Sequence, residues 1–175
     1  MTAYFTIGHS TRTVEELAEL LRQSHVALLI DVRSMTRSRT NPQFNADVML
    51  DALAPWQIGY APIAALGGLR GKQRAVEPSP NGLWRVKSFR NYADYALTPA
   101  FAEGFADLRR RGEAQRCAVM CAEAVWWRCH RRIIADYLLA AGEEVFHIMG
   151  PEKVDAAKLT PGAVVRADAT VIYPA

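Results

Sequence analysis

Residues Val26 to Val32 read VALLIDV, a nearly unbroken apolar run. A strand wetted on one face alternates polar and apolar residues. An unbroken run this short belongs to a strand covered on both faces, which is the situation in a parallel sheet flanked by helices. Cys117 to Cys121 (CAVMC) repeats the pattern, and Tyr4 to Ile7, Gln57 to Ile63 and Val145 to Met149 are further strand candidates. Parallel strands need crossovers, and helical periodicity supplies them. Thr13 and Glu16 have capping-box spacing ahead of Val14, Leu17, Ala18 and Leu21. Asn45 is placed to cap a helix ending before Pro55, and Phe89 to Ala96 has the length of a short helix. Thr98-Pro99 opens a helix running to about Arg111, stopped by Gly112. Trp127 to Ala141 forms an amphipathic helix closed by Gly142.

The predicted architecture is an α/β fold: a doubly wound, mostly parallel five-stranded sheet with helices on both faces. It spans residues 1–150 as one domain. Residues 151–175 form a C-terminal extension with a small hairpin over Val164 to Tyr173. Lys72 to Trp84, rich in Pro, Asn, Gly and charge, is expected to be an inserted loop. The chain has 175 residues, and no apolar stretch approaches the roughly 20 needed to span a bilayer. The first residues carry no basic segment or cleavage-like site, so a cytoplasmic location and no membrane partner are expected. Three cysteines, Cys117, Cys121 and Cys129, argue against a disulfide framework. The net charge of +3 does not by itself imply nucleic acid.

Ligands of an open parallel sheet bind outside the carboxyl ends of its strands. Here those ends carry Gly8-His9-Ser10, Asp31-Val32-Arg33, Gly67-Gly68 and Cys121-Ala122-Glu123. Cys121, at a strand end before a helix, is the candidate nucleophile, because amide N–H groups and nearby cations favour a thiolate. Glu123 and His9 are candidates for moving protons. Asp31 follows an apolar run, so it needs a buried partner, and Arg33 is the nearest cation in sequence. Arg33, Arg37, Arg39 and Arg128 are candidate contacts to an anionic substrate. Cys117 shares the facing of Cys121 but lies deeper in the strand and reads as core. The spacing of His9, Cys121, Cys129 and His130 matches no zinc signature, so no metal ligand is assigned, and no motif assigns a cofactor.

Several segments taken together carry a resemblance. They are Ile7-Gly8-His9-Ser10-Thr11-Arg12, Ile30-Asp31-Val32-Arg33-Ser34, Ser38-Arg39 with Asn41-Pro42-Gln43-Phe44, Leu66-Gly67-Gly68, and Met120-Cys121-Ala122-Glu123 followed by Cys129-His130-Arg131. From about Tyr4 to Ile148 the sequence resembles the domain of unknown function 488 family. That resemblance implies a compact bacterial or archaeal intracellular domain and no established reaction. It maps the family's polar motifs onto His9, Asp31, Arg33, Arg39, Asn41, Cys121, Glu123, Cys129, His130 and Arg131, with Gly67 and Gly68 in the turn. A weaker similarity is to the rhodanese-like fold, within the broader Rossmann and flavodoxin kind, through Asp31-Val32-Arg33, Cys121 and Leu138 to Gly142. Ala122 to Trp127 departs from it, being longer than a rhodanese cysteine loop and lacking Gly.

Three functions are therefore weighed. The first is a cysteine-dependent enzyme, a transferase or hydrolase, acting on an anionic small molecule by sulfur transfer or hydrolysis, with Cys121, Glu123, His9 and Asp31 as its catalytic set. The alternative is a nucleotide or nucleic-acid binding module, with arginines on phosphates and Trp84 or Trp126 stacked on bases. The third is metal binding.

Overall fold

The structure is a computed structural model that describes residues 1–175. Five parallel strands form the sheet: β1 (Ala3–Gly8), β2 (Leu28–Asp31), β3 (Gly59–Pro62), β4 (Cys117–Cys121) and β5 (Glu144–Gly150). A sixth strand, β6 (Lys153–Ala156), pairs antiparallel with β5, so the sheet order is β3-β2-β4-β1-β5-β6. The expected sheet of five strands thus gains one from the segment after Gly150. The expected hairpin is present as β7 (Val164–Val165) and β8 (Val171–Ile172).

The helices are α1 (Val14–Gln23), α2 (Ala46–Leu53), α3 (Lys87–Tyr95), α4 (Pro99–Ala114) and α5 (Arg131–Ala140). The capping box forms as read: Thr13 Oγ1 accepts from Glu16 N–H and Glu16 accepts from Thr13 N–H. Thr98 caps α4 with Pro99 in its first turn. That helix does not stop at Gly112. It continues to Ala114, and Gly112 lies within it against the Tyr4 ring, where a side chain would not fit. Asn45 precedes α2 but does not cap it, since its Oδ1 accepts from Ser38 N–H instead. The expected helix from Trp127 is shorter. A 3-10 turn covers Trp126–Arg128 and α5 begins at Arg131, because Cys129 is extended with φ −134° and ψ 152°.

The two faces of the sheet hold separate cores. One has 22 buried residues, including Tyr4, Ile30, Val119, Ile133 and Tyr137, beneath α3, α4 and α5. The other has 15, including Ile7, Leu17, Leu29, Met49 and Met120, beneath α1 and α2. Cys117 belongs to the first, as its facing predicts. The extension is part of this packing. Val171 and Tyr173 are fully buried in the larger core. Tyr173 donates its hydroxyl to Asp136 at 2.8 Å and its N–H to Asn81 Oδ1 at 2.9 Å. Asn81 and Ser79 in turn donate to Asp94, so one end of the 72–84 loop is tied to α3 and to the extension. No helix is long and apolar enough to cross a membrane.

Removing a buried aromatic ring costs about 3–5 kcal/mol. Urea denaturation of Tyr173→Ala should therefore show a loss of about that size. Tyr173→Phe, which leaves an Asp136 oxygen without its donor, should lose about 1–3 kcal/mol.

Candidate active site

The strand order assembles the site. β4 lies between β1 and β2, with Gly8 level with Cys121 and Asp31 level with Met120. Residues 9, 31–33 and 121–123 therefore leave the sheet side by side. Successive side chains alternate between faces. Cys121 follows Cys117 and Val119 toward α5, whereas His9 follows Ile7 toward α1 and α2. The candidate residues thus divide into two clusters.

On the α2 side, Asp31 and Arg33 form a buried ion pair. Arg33 Nε and Nη2 donate to the carboxylate at 2.9 and 2.6 Å. Tyr60 donates its hydroxyl to Asp31 Oδ2 at 2.5 Å, and Arg33 Nη2 also donates to the Phe44 carbonyl. Arg33 Nη1 lies 3.3 Å from His9 Nε2. A guanidinium only donates, so this His9 nitrogen accepts, and His9 Nδ1 carries the proton it donates to the Ser10 carbonyl at 2.8 Å. Burial, with Arg33 adding repulsion, lowers the His9 pKa, and the neutral ring stacks on Phe44. Every polar atom of His9 and of the Asp31 carboxylate thus has a partner within the fold.

On the α5 side, Cys121 and Cys129 are free thiols with their sulfurs 2.7 Å apart. Cys129 Sγ also faces His130 Nδ1 and the Arg131 N–H, each at 3.4 Å. His130 Nε2 lies 2.7 Å from the Val32 carbonyl. A carbonyl only accepts, so the resting proton sits on Nε2 and Nδ1 is left to accept from sulfur. Cys121 Sγ faces the Glu123 carbonyl at 3.6 Å, which holds a thiol proton. The two pKa values separate accordingly. Burial and the neighbouring sulfur raise that of Cys121. The Cys121 and His130 contacts, with the charge of Arg131, overcome burial and lower that of Cys129.

Arg131 is fully buried and meets no carboxylate. Its guanidinium donates to the Glu123 carbonyl at 2.7 Å, to the Ala124 carbonyl at 3.4 Å and to Thr6 Oγ1 at 3.2 Å, and its Nε has no partner. Thr6 Oγ1 lies 2.6 Å from His147 Nδ1, and His147 stacks on Trp126. Two glycines make room for the loop that carries the cysteines. A Cβ on Gly8 would stand 1.8 Å from the Glu123 carbonyl oxygen, and one on Gly68 would stand 2.5 Å from His130 Nδ1.

Cys121, Cys129 and His130 line a cleft of about 320 Å³ with Arg33, Arg128, Glu123, Gly68, Phe89 and Tyr92. Glu123 is exposed, and its carboxylate accepts from Val125 N–H at 3.4 Å, while its backbone carbonyl receives Arg131. Arg128 is exposed on the rim and forms no ion pair. Arg37 pairs with Asp47 and, with Arg39, lines a separate surface depression. Asn41 lies with His9 in another. Trp84 is engaged with Phe89 and Tyr173, and Trp126 with His147. Sequence reasoning missed the pairing of Cys129 with Cys121, and the roles of Tyr60, Phe89 and Tyr92. The pairing depends on Cys129 being extended, where the sequence reads as helix, so only the presence of a second cysteine eight residues after Cys121 pointed to it.

The family model for the domain of unknown function DUF488 matches residues 13–138. The chain belongs to the DUF488 family. The match covers β2, β4 and both cysteines of the cleft. No curated protein and no solved structure matches the chain.

Two outcomes test this geometry. Gly68→Ala should leave the fold intact but push His130 away from Cys129, slowing alkylation of Cys129 relative to the parent. His147 is held neutral, because burial and Arg131 lower its pKa to about 3. Unfolded histidine titrates near 6.5. Between these values the unfolded chain takes up a proton that the folded chain refuses. Stability should be complete above about pH 6.5 and fall as pH drops toward 3, by up to about 1.4 kcal/mol per unit. Urea midpoints across that range should show the slope, and His147→Gln should flatten it.

Proposed function

We propose that this DUF488 protein is a cysteine-dependent enzyme acting on an anionic small molecule, with Cys129 as nucleophile. The observation that carries this reading is the environment of one sulfur. Cys129 Sγ sits in the wall of an open cleft, against Cys121 Sγ and the base nitrogen His130 Nδ1, and it accepts from the first N–H of α5. A nucleophile, a base and a group that orients the base are the parts of thiol catalysis. Here they are Cys129, His130 and the Val32 carbonyl. This shifts the nucleophile from Cys121, the position favoured by the sequence, to its partner across the cleft.

The roles of the other residues follow from their contacts. Arg131 supplies positive charge next to the thiolate, and its own desolvation is offset by loop carbonyls and by that negative sulfur. Arg128 is the cation at the mouth with no partner of its own, so it is the residue free to meet a substrate anion. Phe89 and Tyr92 give the cleft an apolar wall. Asp31, Tyr60, Arg33 and His9 brace the carboxyl ends of β1 and β2, with Arg33 also facing the cleft. Sulfur transfer and hydrolysis both begin with attack by such a thiolate.

The test is iodoacetamide alkylation across pH, resolved by mass spectrometry at each cysteine. Cys129 should react fastest, with an apparent pKa below the reference of about 8.5. Cys121 should react slowly, and Cys117, whose pKa burial raises to about 12, should not react in the folded protein. Inert Cys129, together with nucleotide binding that weakens steeply with salt and ignores Cys129→Ser, would replace this reading with that of a binding module.

A further inference from the structure

The second sulfur of the cleft is not needed by a single-nucleophile mechanism, yet it is the nearest group to Cys129. A disulfide bond is about 2.05 Å long, so the pair stands about 0.7 Å from bonding distance. The two sulfurs are also unlike. Cys121 ends a rigid central strand, buried and hydrogen-bonded on both edges, and its thiol proton faces the Glu123 carbonyl. Cys129 sits on the irregular stretch between the 3-10 turn and α5. Both face the same cleft, whereas Cys117 is sealed in the core.

We propose that Cys121 and Cys129 form a dithiol couple that reduces anionic low-molecular-weight disulfides, with Cys121 as the resolving thiol. The proposal rests on Cys129 being the nucleophile. In the first step the Cys129 thiolate attacks one sulfur of a disulfide R–S–S–R. The S–S bond breaks, one thiolate R–S⁻ leaves with the electron pair, and a Cys129–S–S–R mixed disulfide remains. In the second step Cys121 gives up its proton and attacks Cys129 Sγ. The Cys121–Cys129 bond forms and the second R–S⁻ leaves. The substrate gains two electrons and the protein dithiol loses them. An external dithiol restores the starting state. His130 Nδ1, lying against Cys129 Sγ, first passes the Cys129 proton to the first departing thiolate and is then free to take the Cys121 proton and pass it to the second. Arg128 at the mouth suits carboxylates on R, and Phe89 and Tyr92 suit its carbon skeleton.

The experiment uses the reduced full chain and glutathione disulfide as the anionic probe, with acid quenching, intact mass measurement and peptide mapping. The parent should lose the mass of two hydrogens, gain a Cys121–Cys129 link and release both halves of the probe. Cys121→Ser should accumulate the glutathione adduct on Cys129 and release one half, with loss of the second at least about 10²-fold slower, because a neighbouring thiol has an effective concentration no external thiol matches. Cys121→Ala provides the same readout should the serine variant fold poorly. In both variants Cys117 should stay reduced. If the parent keeps the adduct as long as Cys121→Ser does, the resolving role is overturned while the nucleophile stands. If Cys129 alkylates as a thiolate but takes no glutathione, the substrate class is overturned. If Cys129 is inert to alkylation as well, the underlying reading of the nucleophile fails.

Discussion

The site depends on one buried cation. Arg131 lies wholly inside the protein with no carboxylate beside it, an arrangement that costs several kcal/mol unless hydrogen bonds and a negative group compensate. Its compensation comes from the loop itself. Two successive carbonyls, those of Glu123 and Ala124, point inward to the guanidinium, and its charge helps to lower the pKa of Cys129. The same contacts therefore shape the loop and favour a thiolate. Without the arginine the sulfur would keep its contacts with Cys121 and His130 but lose one of the influences that oppose burial, which acts alone at Cys117 and raises that thiol pKa.

The rest of the fold serves this arrangement by leaving space for it. The loop after β4 crosses so close to β1 that no side chain fits at Gly8, and the imidazole of His130 rests where a side chain at residue 68 would be. The glycines are needed for approach rather than for unusual backbone angles. On the opposite face of the sheet, the Asp31–Arg33 pair, closed by Tyr60, Phe44 and His9, fixes the ends of the two strands that flank β4.

Much of this was legible in the sequence. The unbroken apolar runs announced a two-faced parallel sheet, and the polar residues at their ends marked the edge at which the cleft opens. Pairing of Asp31 with Arg33 followed from burial of a carboxylate. Other features were hidden because they depend on strand order. Nothing local to His9 or Cys121 says that one side chain faces α2 and the other α5, and that parity separates residues which look like a single constellation on paper. The helix boundary at Arg131 was missed for a related reason. Val125 to Cys129 has helical composition, but tertiary contacts hold Cys129 extended so that its sulfur meets Cys121. The sixth strand carried only a short, exposed signal in Lys153–Ala156, which an edge position requires.

The bond from Tyr173 to Asn81 spans 92 residues of chain, and Tyr173 also joins Asp136. The larger core is therefore completed by a segment made after the rest of that core. During synthesis from the N-terminus, the 72–84 loop and α5 emerge before the ring that joins them. Contacts of such high sequence separation delay closure of a fold. While they are pending, Trp84, stacked on Phe89, lacks the ring that Tyr173 later supplies, and that apolar surface stays exposed.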